Sequence, residues 1–263
     1  MPSLPQRSVC YAQNFLKSPR LIDLLLDRCN IRSSDLVCEI GPGKGIITER
    51  LAQRCGQVVA IEKDPFLAAA LQQRFAHAPH VTIHEGDFLQ FCLPNTPYKV
   101  FANIPFNVTT AIVTKLTTAP CPPQDAYLTM QQEAARKFAG QPRESLYGVL
   151  LKPWFEIEIV HHFRRSDFIP EPRVDVVMLR LRKRGPPLIN QSDRQKYRDL
   201  VVYGFTAWRQ TLKDAFKDIF TAGEIKRLDK DASIDLSVTP SSLPFEQWLE
   251  LFEYFKQIKS GQA

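Results

Sequence analysis

The apolar positions of this chain change their period repeatedly, and the changes mark out its elements. Short, nearly unbroken apolar runs at 36–40, 57–62, 81–84, 98–102 and 125–131 read as buried strands. Between them, 19–29, 46–55 and 65–75 return to helical spacing. Ser18-Pro19 and Asp64-Pro65 are helix starts: a side chain able to cap, then a proline whose missing N–H is not needed in the first turn. Strands alternating with helices predict a parallel sheet covered on both faces. Two later runs, 155–163 and 174–181, have no long helix between them and are expected to extend the sheet edge as an antiparallel pair. Arg184-Gly185-Pro186-Pro187 breaks the pattern, and 193–208, 212–220 and 245–258 are helical beyond it. In the last of these, Phe245, Trp248, Leu249, Phe252 and Phe255 form one apolar stripe of the kind that packs a core. The expected architecture is an α/β domain over 1–184 and a small helical C-terminal domain over 185–263.

Composition adds exclusions. With 44% hydrophobic and 24% charged residues the chain is not disordered, and its apolar runs are too short to cross a membrane. The N-terminal stretch has no apolar signal segment, and Arg7 and Lys17 alone do not make an organelle presequence, so a cytoplasmic protein is expected. Cysteines 10, 29, 38, 55, 92 and 121 have neither CxxC spacing nor histidines at ligand intervals; no disulfide framework and no metal are expected. The net charge of +6 lies in residues 1–184, which hold 23 Lys/Arg against 17 Asp/Glu, while 185–263 hold eleven of each. Arg164, Arg165, Arg173, Arg180, Arg182, Lys183 and Arg184 concentrate it in 21 residues, a strip suited to phosphates.

Four strand ends carry candidate chemistry. Glu39-Ile40-Gly41-Pro42-Gly43-Lys44-Gly45 lies between a strand and a helix, where glycines allow a tight turn and close ligand approach. The spacing is neither GxGxxG nor GK[ST], which argues against a nicotinamide oxidoreductase and a phosphate loop. Glu62, 21 residues after Gly41, can accept from both hydroxyls of a ribose, or else serve as a helix cap. Asp87 in Gly86-Asp87-Phe88 can accept from an adenine amino group, or be an ordinary polar loop residue. Asn103-Ile104-Pro105-Phe106 closes a fourth strand. Glu39 is expected to brace the glycine turn by accepting its backbone N–H groups.

In this order QNFL (13–16), EIGPGKG (39–45), Glu62, GDF (86–88) and NIPF (103–106) resemble the adenine-N6 methyltransferases of ribosomal RNA. DFIPEPRVDVVMLRL (167–181) resembles the segment that follows their catalytic core, so the likeness spans about 10–184. NIPF and QEAARKFAG (132–140) are more similar to the Erm-type 23S rRNA enzymes; the housekeeping small-subunit enzymes usually carry Leu and Tyr where this chain has Ile104 and Phe106. The resemblance implies a Rossmann-like class I methyltransferase sheet, S-adenosyl-L-methionine as methyl donor, and 23S rRNA, free or in the assembling large subunit, as partner. Macrolide–lincosamide–streptogramin B resistance is the implied outcome, and a monomer is expected. Asn14 and Leu16 would close over the methionine end of the cofactor, Gly41 and Gly43 would touch it, Glu62 would hold its ribose and Asp87 its adenine. Asn103 would sit between cofactor and substrate, with Pro105 and Phe106 completing the catalytic set. Phe168 would close the other side of the base, and Arg164, Arg165, Arg173 and Arg182 would hold RNA. Two rivals stand beside this reading: 16S rRNA dimethylation by the same chemistry, and an RNA-binding assembly factor without catalysis.

Overall fold

The computed structural model describes residues 14–207, 210–231, 234–259 and 261. Gln13, Trp208 and the N-terminal stretch read above for targeting signals lie outside them. The strands in chain order are β1 (Phe15–Leu16), β2 (Leu36–Ile40), β3 (Gln57–Glu62), β4 (Val81–Glu85), β5 (Lys99–Asn103), β6 (Asp125–Gln131), β7 (Phe155–His162), β8 (Phe168–Ile169) and β9 (Val176–Lys183). The helices are α1 (Pro19–Arg28), α2 (Ile46–Ala52), α3 (Pro65–Arg74), α4 (Thr109–Thr118), α5 (Gln132–Ala139), α6 (Leu146–Leu151), α7 (Arg194–Thr206), α8 (Leu212–Ala215), α9 (Ala222–Asp231) and α10 (Phe245–Lys259).

Seven strands form one sheet in the order β4-β3-β2-β5-β6-β9-β7. β2, β3, β4, β5 and β6 run parallel, and β9 lies antiparallel to β6 with β7 outside it. Val37, Val58, Val100, Phe101, Ala126 and Leu128 have no solvent exposure, as strands covered on both faces require. The strand order reverses between β2 and β5, so the carboxyl ends of these two strands open a crevice, the usual ligand position in such sheets. Both expected caps form: Ser18 accepts from the Leu21 N–H at 3.2 Å, and Asp64 accepts from Phe66 and Leu67 at 2.8 and 3.1 Å. Between β7 and β9 the chain leaves the main sheet, and β8 pairs antiparallel with β1 instead, Phe15 opposite Ile169 and Leu16 opposite Phe168.

The chain divides into two compact units. The first holds residues up to Ala135 and Glu158–Lys183; the second holds Arg136–Ile157 and everything from Arg184 onward. One division falls between Lys183 and Arg184, and the second unit also takes 136–157. In the second unit Trp248, Phe252, Phe216 and Tyr197 are fully buried. The Tyr197 hydroxyl donates to the Val149 carbonyl at 2.9 Å, which ties α7 to α6 and explains why 136–157 belongs here.

Candidate active site at the carboxyl ends of the sheet

Gly41 and Gly43 form the turn after β2 in left-handed backbone, with φ of 66° and 58°. The Gly41 N–H donates to the Ile61 carbonyl at 2.9 Å, which ties the turn to β3. A Cβ on Gly41 would meet nothing within 4 Å, whereas one on Gly43 would come within 2.6 Å of the Phe15 ring. Gly41 therefore borders open space, and Gly43 is packed beneath Phe15.

Glu62, 1% exposed at the end of β3, receives two backbone donors: Gly43 N–H on Oε2 and Asp64 N–H on Oε1, both at 2.9 Å. Each oxygen keeps a lone pair for a further donor. The carboxylate that braces the glycine turn is thus Glu62 and not Glu39. Glu39 is equally buried, and neither of its oxygens has an aligned hydrogen-bond partner among the described residues. Burial pushes its pKa up to about 8, opposed in part by the adjoining Thr48, so at neutral pH it holds its proton.

Asp87 accepts from the Lys63 ammonium and from the Leu89 N–H, each at 2.9 Å. The Lys63 hydrogen bond is the main cause that holds its pKa below the ordinary carboxylate value. Gly41, Glu62, Lys63, Asp87, Phe88, Phe15, Pro105 and the apolar Ile40, Ile61 and Ile112 line a cavity of about 490 Å³. Its size and its apolar walls with a few convergent polar groups suit a nucleoside-sized molecule.

A slot of about 20 Å³, lined by Asn14, Phe15, Gly41, Asn103, Ile104, Pro105 and Phe106, lies alongside; Phe15, Gly41 and Pro105 belong to both hollows. Asn103 ends β5, and its side-chain Nδ2 donates to the Asn14 carbonyl at 2.6 Å. That bond orients the amide and leaves Oδ1 as an acceptor. The Pro105 carbonyl accepts from the Val108 N–H at 3.3 Å; the Thr109 hydroxyl lies 3.5 Å from it but closer to the Phe106 carbonyl, at 3.1 Å, and with its one proton given there Pro105 keeps a second lone pair.

The structure thus gathers Asn14, Gly41, Glu62, Asp87, Asn103, Pro105 and Phe106 around two adjoining hollows. Gly43 stands behind, holding Glu62. Leu16 and Phe168 do not line either hollow. They are 3% and 0% exposed and pack in the core against Ile22, Leu25 and Val176, with Phe168 edge-on to Phe163 at 5.3 Å. Arg164, Arg165 and Arg173 lie in the β7–β9 connection, whose β8 segment pairs with β1; the Lys17 N–H donates to the Asp167 carbonyl there at 3.1 Å. Arg182 does not join them. It faces Asp125 at the start of β6, while Val176 faces Gln131 at the end near the site, so about 20 Å of strand separates Arg182 from that end. The basic strip is also partly neutralised, with Arg180 bound to Asp125 and Glu158 and Arg165 to Asp175. Sequence reasoning missed Phe15 and Lys63. The alternation within 14–16 was a usable signal for Phe15, since a strand must turn one of two neighbours away from the core.

A doubly wound sheet with a nucleoside-sized cavity at its switch point is the Rossmann-like arrangement of class I methyltransferases. The model of the ribosomal RNA adenine dimethylase family matches residues 6–257, and the chain belongs to that family. It is an rRNA adenine-N6 methyltransferase. The rRNA adenine N-6-methyltransferase of Bacillus licheniformis is 30% identical over 246 residues, covering 93% of this chain and 86% of the relative. Ribosomal RNA small subunit methyltransferase A of Rippkaea orientalis is 32% identical over 265 residues, covering 94% and 96%. The crystal structure of the 23S rRNA methyltransferase ErmE superimposes with a TM-score of 0.85 at 31% identity, covering 93% of this chain and all of that one.

Proposed function

We propose that the chain transfers methyl groups from S-adenosyl-L-methionine to N6 of a specific adenine of 23S rRNA near the peptidyl-transferase centre, conferring macrolide–lincosamide–streptogramin B resistance. The cavity fits the cofactor: Glu62 offers acceptors for ribose hydroxyls, Asp87 for an adenine amino group, and Ile40, Ile61, Phe88 and Ile112 take its apolar surface. When bound, the cofactor supplies a methyl group activated by a sulfonium charge.

An adenine amine is a weak nucleophile because its lone pair is shared with the ring. Asn103 Oδ1 and the Pro105 carbonyl accept from its two N–H bonds, hold the nitrogen in the slot and favour a lone pair directed towards the cavity. Phe106 offers a ring face to the extruded base. The proton that the methylated nitrogen loses passes to water. The observation that carries this mechanism is the orientation of the Asn103 amide, whose donor is tied to the Asn14 carbonyl so that its acceptor is left for substrate.

The choice of 23S rRNA rests on Ile104 and Phe106 and on the full-length likeness to ErmE. The 32% identity to the Rippkaea small-subunit enzyme favours 16S rRNA as the second reading. Expression in a susceptible bacterium, followed by mass spectrometry of its rRNA, separates them. New N6-methylated adenine in the peptidyl-transferase region together with macrolide resistance supports the proposal. Modification confined to the 3′ end of 16S rRNA replaces it with the housekeeping activity.

A further inference from the structure

Thr129 is a polar residue inside the otherwise apolar run Ala126-Tyr127-Leu128-Thr129-Met130 of β6, and it has no solvent exposure. Its hydroxyl oxygen is buried without a hydrogen-bond partner among the described residues. Such a hydroxyl is destabilising, whereas an apolar side chain of the same shape is not. β5 and β6 run parallel, so residues opposite each other in register lie on one face of the sheet. Phe101 and Tyr127 are one such pair, with ring centroids 6.3 Å apart. Two residues further along each strand, the same face carries Asn103 and Thr129, again opposite each other. On the other side of β6, Met178 stands opposite Thr129. Met178, Tyr127, Leu16 and Phe168 belong to one buried apolar cluster. Of the two residues in register with Thr129, Asn103 is therefore the one with a strongly hydrogen-bonding side chain. The main chain joins the two strands at this point, the Ile104 N–H donating to the Thr129 carbonyl at 3.2 Å.

We infer that Thr129 is a positioning residue for methyl transfer, whose hydroxyl turns to accept the second proton of Asn103 Nδ2 during the reaction and completes the hold on that amide. This rests on the proposed RNA adenine methylation. Nδ2 has two protons, of which the Asn14 carbonyl takes one. With both protons held by protein, the amide cannot exchange nitrogen for oxygen without losing two bonds, and Oδ1 stays turned to the target amine. Neighbouring strands lie about 4.8 Å apart, so a hydroxyl and an amide opposite each other on one face come within bonding reach by side-chain rotation alone. Thr129 lines neither hollow, so it acts through Asn103 and not on cofactor or base.

The test uses the full chain and transcripts of 23S and 16S rRNA, with single-turnover rates on whichever RNA the wild type methylates. Thr129→Val keeps the shape and removes the hydroxyl. Its methyl-transfer rate should fall about three- to tenfold, the usual worth of one hydrogen bond, while Tm stays level or rises because no unpaired hydroxyl remains. KM for RNA and Kd for S-adenosylhomocysteine should not change, since Thr129 lines neither hollow. Thr129→Ala and Thr129→Ser differ only in the hydroxyl and repeat the comparison: Ala should be slow, and Ser should be within about twofold of the wild type although its lost methyl lowers Tm. In an Asn103→Ala background Thr129→Val should cost nothing further, because the two residues act as one unit. A wild-type rate in Thr129→Val, equal rates in the Ala and Ser variants, or the same loss with and without Asn103 each overturn the assignment alone. A wild type that methylates neither RNA overturns the proposed function and this assignment with it.

Discussion

The Asn103 side chain donates to the backbone carbonyl of Asn14 at 2.6 Å, a bond that links the end of β5 to a residue 89 positions earlier. It converts an amide that could turn either way into one with a fixed acceptor. Asn103→Ala removes both the acceptor and the latch. By the usual worth of one preorganised transition-state partner, kcat should fall about 10²- to 10³-fold or more. Affinity for S-adenosylhomocysteine, whose contacts lie mainly along the larger cavity, should change by less than about threefold. Single-turnover methylation and calorimetry measure the two quantities; a variant with near-normal turnover removes Asn103 from the mechanism.

Glu62 has a structural duty as well as a ligand-binding one. It accepts from Gly43 and Asp64 N–H groups and has spare lone pairs facing the cavity. Glu62→Gln places an amide NH₂ against donors, which leaves at least one of them unsatisfied. Charge-assisted hydrogen bonds are worth about 1.5–3 kcal/mol, so affinity for S-adenosylhomocysteine should fall about 10- to 100-fold, with a lower Tm in the ligand-free protein. A Kd unchanged by the substitution would take the ribose role away from this residue.

Much of this site was legible in sequence because its parts are punctuation marks at strand ends. Glycine turns, Asp-Pro caps and Asn-x-Pro are local signals, and 125–131 was read with the bounds β6 has in the structure. Orientation was not legible. That Phe15 faces the hollows while Leu16 and Phe168 turn into the core depends on a pairing across more than 150 residues that no local pattern contains. Arg182 was read as RNA-facing because charge in a linear strip says nothing about which end of a strand it occupies. Helices α4, α5, α6 and α9 went unassigned because their stripes are short or interrupted by polar residues, and tertiary packing holds them.

Glu39 gives stability a signature in pH. Its folded pKa is raised to about 8 by burial, far above an unfolded carboxyl, so the folded state binds the extra proton. The stabilisation is complete below the unfolded pKa and is lost as pH rises, through the folded value near 8. The slope in that window is up to about 1.4 kcal/mol per pH unit. Glu39→Gln, which cannot ionise, should flatten the dependence between pH 5 and 8 whatever it does to absolute stability. Urea midpoints across pH 5–9 for both proteins decide this, and parallel slopes would show that Glu39 is not the buried acid responsible.

Lys63 makes a prediction for the opposite sign of shift. Its ammonium is the main reason that Asp87 stays ionised below the ordinary carboxylate pKa. Lys63→Met should move the Asp87 carboxyl titration upward, observable by ¹³C NMR of labelled aspartate, while leaving the Leu89 N–H bond to Oδ1 in place. Any loss of affinity for S-adenosylhomocysteine should then grow as pH falls towards the raised pKa, because only the ionised carboxyl accepts on both oxygens. An affinity loss that is the same at every pH would mean that Lys63 acts by lining the cavity with its stem, and not through the charge it lends Asp87.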